Sequence, residues 1–208
     1  MTNIRREIMR VDLIVEDSGH ELFLRPLIRK LGYERHVPID IRTVSSAHGR
    51  PKVLAEANGY AETSAALGVG LPDTLIVATD GNCVGFVQRR NEVVNVLGKT
   101  ILPLTTVAIP DPHIERWLLA DPAAFRRAVG KAVQPPRRKC DRDFYKGLLA
   151  KSVADAGHVA TLGGLEFARD IVEEMDIGRA CRNDNSLNNF VRSFRGAVTR
   201  FASRDKQA

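Results

Sequence analysis

The sequence has few cysteines and no long apolar segment. Cys83, Cys140 and Cys181 are odd in number and widely spaced, so no pair has the short spacing of a zinc site or redox motif, and we expect reduced thiols. No apolar run approaches the ~20 residues that cross a bilayer. No long apolar region or small-residue cleavage site follows the basic N-terminus. We therefore expect no membrane partner and a cytoplasmic location.

Several catalytic signatures are also missing. The chain has no glycine-rich loop followed by Lys-Ser/Thr, so it is not itself a P-loop ATPase, and any nucleotide hydrolysis would come from another protein. It has no hydrolase elbow around a serine and no convincing Cys/His nucleophile pair. None of Tyr33, Tyr60 and Tyr145 is placed like a catalytic tyrosine, which leaves strand passage and other phosphoester chemistry without support.

The composition is that of a globular protein with a moderate excess of positive charge. The 208 residues are 44% hydrophobic and carry a formal net charge of +6. This length indicates one domain, or one domain with a helical extension. A charge of this size is weak support for nucleic-acid binding unless it is concentrated in one part of the chain.

Two short apolar runs each end close to an acid. Leu13-Ile14-Val15 precedes Glu16, and a second run at 75–78 precedes Asp80. Continuous apolar runs of this kind are typical of strands covered on both faces, and ligands bind at the carboxyl edge of such sheets. Each acid also has a simpler interpretation, Glu16 as a stabilising charge at a helix N-terminus and Asp80 as a turn residue. Together they predict carboxylates that converge to hold Mg²⁺.

Strand and helix patterns alternate over roughly the first 110 residues and predict an α/β fold with a mostly parallel sheet flanked by helices. Pro103 indicates that the fourth strand is an edge strand or starts irregularly. Pro26 either kinks the first helix or lies near its first turn. The predicted strands lie at 13–15, 37–44, 75–78 and 101–109, and the helices at 19–31, 52–68 and 85–97.

After Pro110 the pattern is helical, and no further strand is predicted. Asp111 and Pro112 are expected to cap and begin a helix at 111–128. Further helices are predicted at 142–155, 164–175 and 186–203. We therefore divide the chain into an α/β domain at 1–125 and a basic linker with a C-terminal helical extension at 126–208.

A third acid lies at the start of the 111–128 segment. Ile114, Trp117 and Leu118 are spaced to form one buried helix face, and Glu115 lies beside it. Glu115 is either a member of the acidic site or a solvated helix acid.

These segments resemble a TOPRIM-type domain. The likeness rests on Val15-Glu16, the strand ending in Asp80-Gly81-Asn82, and Ile114-Glu115-Arg116-Trp117-Leu118-Leu119-Ala120-Asp121, and it covers residues 11–125. It is closest to the small bacterial TOPRIM-like proteins related to the OLD-family nucleases and often found with an ATPase partner.

The resemblance implies a nuclease-like site that uses Mg²⁺ or Mn²⁺. Glu16 and Asp80 would be catalytic and would bind the metal, with Asn82 and Glu115 as auxiliary ligands. Two features depart from the family pattern. Asn82 stands where a second Asp is usual, and the Gly and the acid expected after Glu16 are replaced by residues 17 and 20. The carboxylate or nitrogen ligands that could complete the site are Asp17, His20 and Glu21.

Two basic segments could bind the phosphates of a nucleic acid. His48, Arg50 and Lys52 lie in a polar loop after the second strand. Residues 116–146 contain nine Lys/Arg and three acids, a net +6 equal to that of the whole chain. The stiff centre of this segment contributes Arg137, Arg138 and Lys139 as candidate phosphate contacts. Either segment could instead be an ordinary solvated connection.

The sequence thus favours an endonuclease subunit that acts on DNA or RNA, with DNA preferred. The resemblance implies an ATPase partner and a role in bacterial antiviral or anti-plasmid defence. The main alternative is a non-catalytic TOPRIM-like subunit that binds nucleic acid or a partner protein, which the uncharged Asn82 favours.

Overall fold

A computed structural model of the chain describes residues 7–67, 70–134, 137, 140–141 and 143–205. Its centre is a four-stranded, wholly parallel sheet in the order β2-β1-β3-β4. The sheet confirms the predicted α/β class. The strands are β1 (Met9–Val15), β2 (Ile39–Ser46), β3 (Thr74–Ala78) and β4 (Thr105–Ala108).

The helices of the first half alternate with the strands, as predicted. α1 starts after its cap at Asp17 and continues through Pro26, which lies in the middle of the helix and not in its first turn. A 3₁₀ turn containing Pro103 precedes β4, so the edge position and the irregular start of this strand are both confirmed. The three helices are α1 (Ser18–Tyr33), α2 (Arg50–Leu67) and α3 (Phe86–Val96).

After β4 the described residues form helices joined by turns and loops, and no further strand occurs among them. The predicted continuous helix at 111–128 is wrong, because residues 111–113 and 119–121 are not helical and two short helices lie at 114–118 and 122–129. The Asp111–Pro112 peptide is cis, and the Asp121 side chain caps the second helix. The helices are α4 (Ile114–Leu118), α5 (Pro122–Val129), α6 (Phe144–Asp155), α7 (Ala168–Glu174), α8 (Ile177–Asn183) and α9 (Asn185–Asp205). α8 was not predicted.

Each face of the sheet carries its own apolar core. The smaller core joins Ile14, Leu75 and Val77 to α2 and α3. The larger joins Leu13 and Ile76 to α1 and to the C-terminal helices in one continuous cluster. Because the helical extension shares this cluster with the sheet, its folding is coupled to that of the α/β part.

Lys30 fastens the extension to α1. Its Nζ donates to the carbonyl oxygens of Val172, Glu173 and Met175 at 2.7 to 2.9 Å, around the C-terminus of α7. A lysine at a helix C-terminus satisfies carbonyls that have no intrahelical partner and complements the helix dipole.

None of the described helices combines the length and apolar character needed to cross a bilayer.

Candidate active site at the carboxyl edge of the sheet

Glu16 and Asp80 meet at the carboxyl edge of the sheet. β1 and β3 are neighbours, with Val15 in register with Ala78. Glu16 Oε2 accepts hydrogen bonds from the hydroxyl of Thr79 at 2.5 Å and from the amide of Asp80 at 2.9 Å. A contact to the amide of Asp80 keeps the two carboxylates within the ~8 Å that adjacent metal ions could bridge. The convergence predicted from two strand ends is therefore present.

His20 makes an ion pair with Asp80. It is fully buried, its Nδ1 lies 2.9 Å from Asp17 Oδ1, and its Nε2 lies 3.2 Å from Asp80 Oδ1 without the alignment of a hydrogen bond. Burial opposes the charge on the ring, but the two carboxylates more than offset it and raise the pKa of His20 to about 10. The imidazolium thus supplies a positive charge beside Asp80.

Asp17 and Glu21 have other partners. Asp17 caps α1 by accepting from the His20 amide at 3.1 Å, and although its burial favours the neutral form, its hydrogen bond with the His20 ring lowers its pKa overall. Glu21 Oε1 accepts from Thr43 at 2.7 Å and from Arg25 at 3.2 Å. Of the three auxiliary candidates, only His20 contacts Asp80 directly.

Glu115 is the third acid of the site. It is 4% exposed, so the solvated-helix interpretation is wrong. Burial raises the pKa of Glu115 to about 7, the charge of Asp80 adds to this rise, and Lys146 on α6 opposes it. Its Oε2 has no hydrogen-bond partner among the described residues. Its neighbour Ile114 donates its amide to Asp80 Oδ1 at 3.1 Å, which ties the start of α4 to the same carboxylate.

The loop that carries Asn82 packs against the segment before α4. The amide of Gly81 donates to the carbonyl of Pro110 at 2.6 Å, and the amide of Asn82 donates to that of Pro112 at 2.9 Å. A Cβ on Gly81 would come within 2.9 Å of the Pro110 carbonyl, so only glycine fits here. Asn82 Oδ1 lies 3.0 Å from His113 Nε2. The Asn82 side chain is exposed, and its amide oxygen is already in contact with the His113 ring.

The polar loop after β2 lies beside Glu16. The amide of Gly49 donates to the backbone carbonyl of Glu16 at 3.2 Å, and His48 is exposed next to it. α2 begins at Arg50, earlier than predicted, so Arg50 and Lys52 lie in its first turn. Arg50 pairs with Glu92 of α3 at 2.6 Å. Of the three predicted phosphate contacts in this segment, His48 and Lys52 are exposed, whereas Arg50 is ion-paired with Glu92 of α3.

A disulfide joins the basic segment to the Asp80 loop. Cys83 bonds to Cys140 across 57 residues, so the expectation of three reduced thiols is wrong for this pair, while Cys181 is free. Cys83 lies three residues after Asp80, and the bond therefore holds the end of the basic linker near the site. Arg137 is exposed, and the predicted contacts Arg138 and Lys139 lie outside the described residues.

The residue types fit a hard divalent cation. No group of three or more His, Cys, Asp or Glu side chains in the described part of the chain is arranged to hold a metal as it stands. The unpartnered Oε2 of Glu115, however, is a buried acceptor close to Asp80, which is an arrangement that a cation would relieve. Glu16, Asp80, Asn82 and Glu115 offer the oxygen ligands that Mg²⁺ and Mn²⁺ prefer.

Most of the motif at 114–121 is structural. Arg116 forms an ion pair with buried Asp184 at 3.0 Å, and Trp117 donates to Ser186 at 2.8 Å. Asp121 is fully buried and receives two hydrogen bonds from Arg179, at 2.7 and 2.8 Å. These contacts link α4 and α5 to α8 and α9, whereas Glu115 interacts with Asp80.

Several residues at this edge were not among the predicted site residues, namely Thr79, His113, Lys146 and the Cys83–Cys140 pair. Thr79 follows a strand like many threonines, and the partners of the other residues are remote in sequence, so no local pattern marks them.

Comparison with protein-family models, curated proteins and solved structures finds no match.

Proposed function

We propose that this chain is a metal-dependent nuclease subunit that hydrolyses phosphodiester bonds in DNA or RNA, with DNA preferred. The observation that carries the proposal is the hydrogen bond between Glu16 Oε2 and the amide of Asp80. It joins two acids from separate strand ends, and Glu115 is buried beside them. Clusters of carboxylates at this edge of a parallel sheet suit a Mg²⁺- or Mn²⁺-assisted reaction.

The roles of the residues follow from their surroundings. Glu16, Asp80, Asn82 and Glu115 would hold the metal, which supplies an activated water and stabilises charge on the phosphate. Thr79 and the Asp80 amide fix Glu16 Oε2 in place. The imidazolium of His20 offsets part of the negative charge that would otherwise repel a phosphodiester. In the metal-free protein, burial and the charge of Asp80 raise the pKa of Glu115 to about 7, and a cation bound at this carboxylate would favour its ionised form.

The surrounding basic residues support an anionic substrate. His48 and Lys52 are exposed near Glu16, and Lys146 acts on Glu115 from α6. The linker carrying Arg137 is attached to the Asp80 loop through Cys140. An ATPase partner, a cytoplasmic location and a role in antiviral defence belong to the same proposal and rest on the TOPRIM resemblance.

A second candidate function is a non-catalytic subunit that binds nucleic acid or a partner protein. Two observations favour it. Asn82 brings no charge to the place of a second Asp, and its amide oxygen lies 3.0 Å from His113. His20 also neutralises part of the charge of Asp80, which weakens the attraction for a cation.

One experiment separates the two functions. Purified protein is incubated with supercoiled plasmid, linear duplex and single-stranded RNA in Mg²⁺, Mn²⁺ or EDTA, with and without the product of the adjacent gene. Glu16→Gln and Asp80→Asn are compared with Glu62→Gln, an exposed acid on α2 remote from the strand ends. Circular dichroism and a urea midpoint establish that each variant is folded.

The nuclease proposal expects metal-dependent cleavage that falls at least 100-fold in both site variants and is unchanged in Glu62→Gln. Cleavage that persists in EDTA or survives both substitutions would contradict it. Binding of nucleic acid without cleavage under any of these conditions would support the non-catalytic subunit instead.

A further inference from the structure

A polar pocket lies at the outer edge of the sheet, next to the candidate site. It has a volume of about 400 Å³ and is formed where α3, β4 and α9 meet. Phe86 begins α3 directly after the loop that carries Asp80, and Val107 lies at the carboxyl end of β4. The pocket therefore lies beside the edge strand, towards the carboxyl ends of the strands where the acids are. Its lining residues are Phe86, Arg90, Val107, Asn189, Arg192 and Ser193.

Two arginines give this pocket its charge. Arg90 on α3 and Arg192 on α9 are both exposed, and neither has an ion pair with a carboxylate in the part of the chain that the structure describes. Most other arginines that the structure describes do have one, as Arg89 does with Glu92 and Arg195 with Glu34. Two guanidinium groups that share a pocket without an acid repel each other, and an anion bound between them would offset this repulsion.

The other polar residues of the pocket suit a phosphate. Asn189 and Ser193 flank Arg192 on α9 and add an amide and a hydroxyl donor. Arginine binds phosphate with two parallel N–H groups, which lysine cannot do. Phe86 and Val107 provide an apolar floor, and a half-buried aromatic ring in a basic groove is the kind of surface on which a nucleobase stacks.

We propose that this pocket is a second phosphate-binding site, in which Arg90 and Arg192 hold the backbone of a nucleic acid strand away from the reacting bond. The inference rests on the proposed function for the identity of the ligand. A strand that crosses the carboxyl edge of the sheet would contact the acids through one phosphate and the arginine pocket through another. The pocket thereby sets the direction in which the strand lies, and it binds without a metal ion.

Binding is measured in EDTA, so that it does not depend on cleavage. Fluorescence anisotropy with a labelled 20-nucleotide single strand and a 20-base-pair duplex compares wild type with Arg90→Ala/Arg192→Ala. The matched control is Arg169→Ala/Arg182→Ala, which removes two exposed arginines from α7 and α8. Salt titrations count the phosphates each protein neutralises, and circular dichroism confirms the fold of each variant.

The pocket variant is expected to bind at least tenfold more weakly than wild type. The slope of log affinity against log salt should fall by about 1.4 to 1.8, as expected for the loss of two phosphate contacts. The control should change affinity by less than about threefold. Equal effects of the two double variants would overturn the inference, because they would show that only net charge matters.

Two further arms identify the source of the phosphate. Inorganic phosphate and a nucleoside triphosphate are titrated as competitors of the labelled strand. Competition only at millimolar concentration, far above the strand's dissociation constant, supports a nucleic acid ligand. Micromolar competition by either small anion overturns that identification. If no cleavage is ever seen but the arginine dependence holds, the nuclease proposal fails and the pocket stands; the opposite pattern removes the pocket alone.

Discussion

Glu115 lies buried beside Asp80, and its Oε2 has no hydrogen-bond partner among the described residues. Placing a carboxylate in this position costs stability, because both burial and the charge of Asp80 disfavour its ionised form. Ionisable groups whose pKa is shifted at the expense of folding stability are common where a site must bind a cation or move a proton. The free energy of unfolding of Glu115 variants, measured with and without a metal ion, therefore tests whether this carboxylate belongs to a cation site.

We predict that Glu115→Gln stabilises the metal-free protein above neutral pH. The folded pKa is raised from 4.5 to about 7, so ionisation of Glu115 lowers stability progressively as pH rises from about 4.5 through 7. At pH 8 the variant should be more stable by about 3 kcal/mol, and near pH 4.5 the difference should vanish. Urea unfolding in EDTA at both pH values measures it.

Added Mn²⁺ should reverse this order. A cation bound by Glu115 stabilises the wild-type protein by mass action, and the variant should gain less. Glu62→Gln is the matched control and should behave as wild type at every pH. If Glu115→Gln is less stable than wild type at pH 8 in EDTA, Glu115 has a favourable partner in the metal-free protein and the prediction fails.

His20 should give the metal-free protein a stability loss in mild alkali. Its folded pKa of about 10 lies above the ordinary 6.5, so its ion pairs contribute fully below pH 6.5 and are lost as pH rises toward 10. His20→Gln should be less stable than wild type by about 3 kcal/mol at pH 6 and should lack this part of the pH dependence. Urea midpoints from pH 6 to 10 test this.

His158→Gln is the control for that series. His158 lies 3.0 Å from the carbonyl oxygen of Val129 and pairs with no carboxylate in the described structure, so its replacement removes a histidine without removing an ion pair. If His20→Gln and wild type lose stability in parallel up to pH 10, the ion pair with Asp80 does not form.

The sheet and the meeting of Glu16 with Asp80 were predictable because local composition determines them. A run such as Leu13-Ile14-Val15 is typical of a central strand that is covered on both faces, and parallel strands bring their carboxyl ends to one edge. The same logic failed at Asp111-Pro112. The pair has the residue types of a helix start, but its peptide is cis, and no local pattern reveals this.

The partners of the site residues were not predictable, because they depend on contacts distant in sequence. Asp17, His20 and Glu21 were equivalent candidates in the sequence, and the packing of α1 on the sheet edge selects only His20 to face Asp80. The pairing of Cys83 with Cys140 spans 57 residues and has no local signal. Spacing rules identify short metal and redox motifs and do not extend to such distances.

Asn82→Asp should strengthen metal binding. It adds a carboxylate at the mouth of the site, and affinity for a hard cation rises with the number of charged ligands. We expect about tenfold tighter Mn²⁺ binding, equivalent to about 1.4 kcal/mol. Titration calorimetry measures this, with Asn95→Asp, an exposed position on α3, as the control. Equal gains in the two variants would mean that net charge alone is responsible.

Asp121→Ala should unfold the C-terminal packing without altering the acids. Asp121 is fully buried, caps α5 and accepts from Arg179 and from the Asp176 amide. Removing one member of a buried pair costs about 3–5 kcal/mol. Urea unfolding should show this loss, while Asp170→Ala on the surface of α7 stays within about 0.5 kcal/mol. Metal affinity of the folded fraction should be unchanged; a selective loss of metal binding would place Asp121 in the site.

The disulfide between Cys83 and Cys140 should stabilise the protein only under oxidising conditions. Closing a loop of this length restricts the unfolded chain and contributes up to about 4 kcal/mol in the chain-entropy model. Cys140→Ser should therefore be less stable than wild type by about 2–4 kcal/mol without reductant. In dithiothreitol the two should unfold alike, which matters because a reducing compartment disfavours such bonds. Cys181→Ser should match wild type in both conditions, since Cys181 is free. A gap between wild type and Cys140→Ser that persists in dithiothreitol would assign the effect to packing of Cys140 and not to the bond.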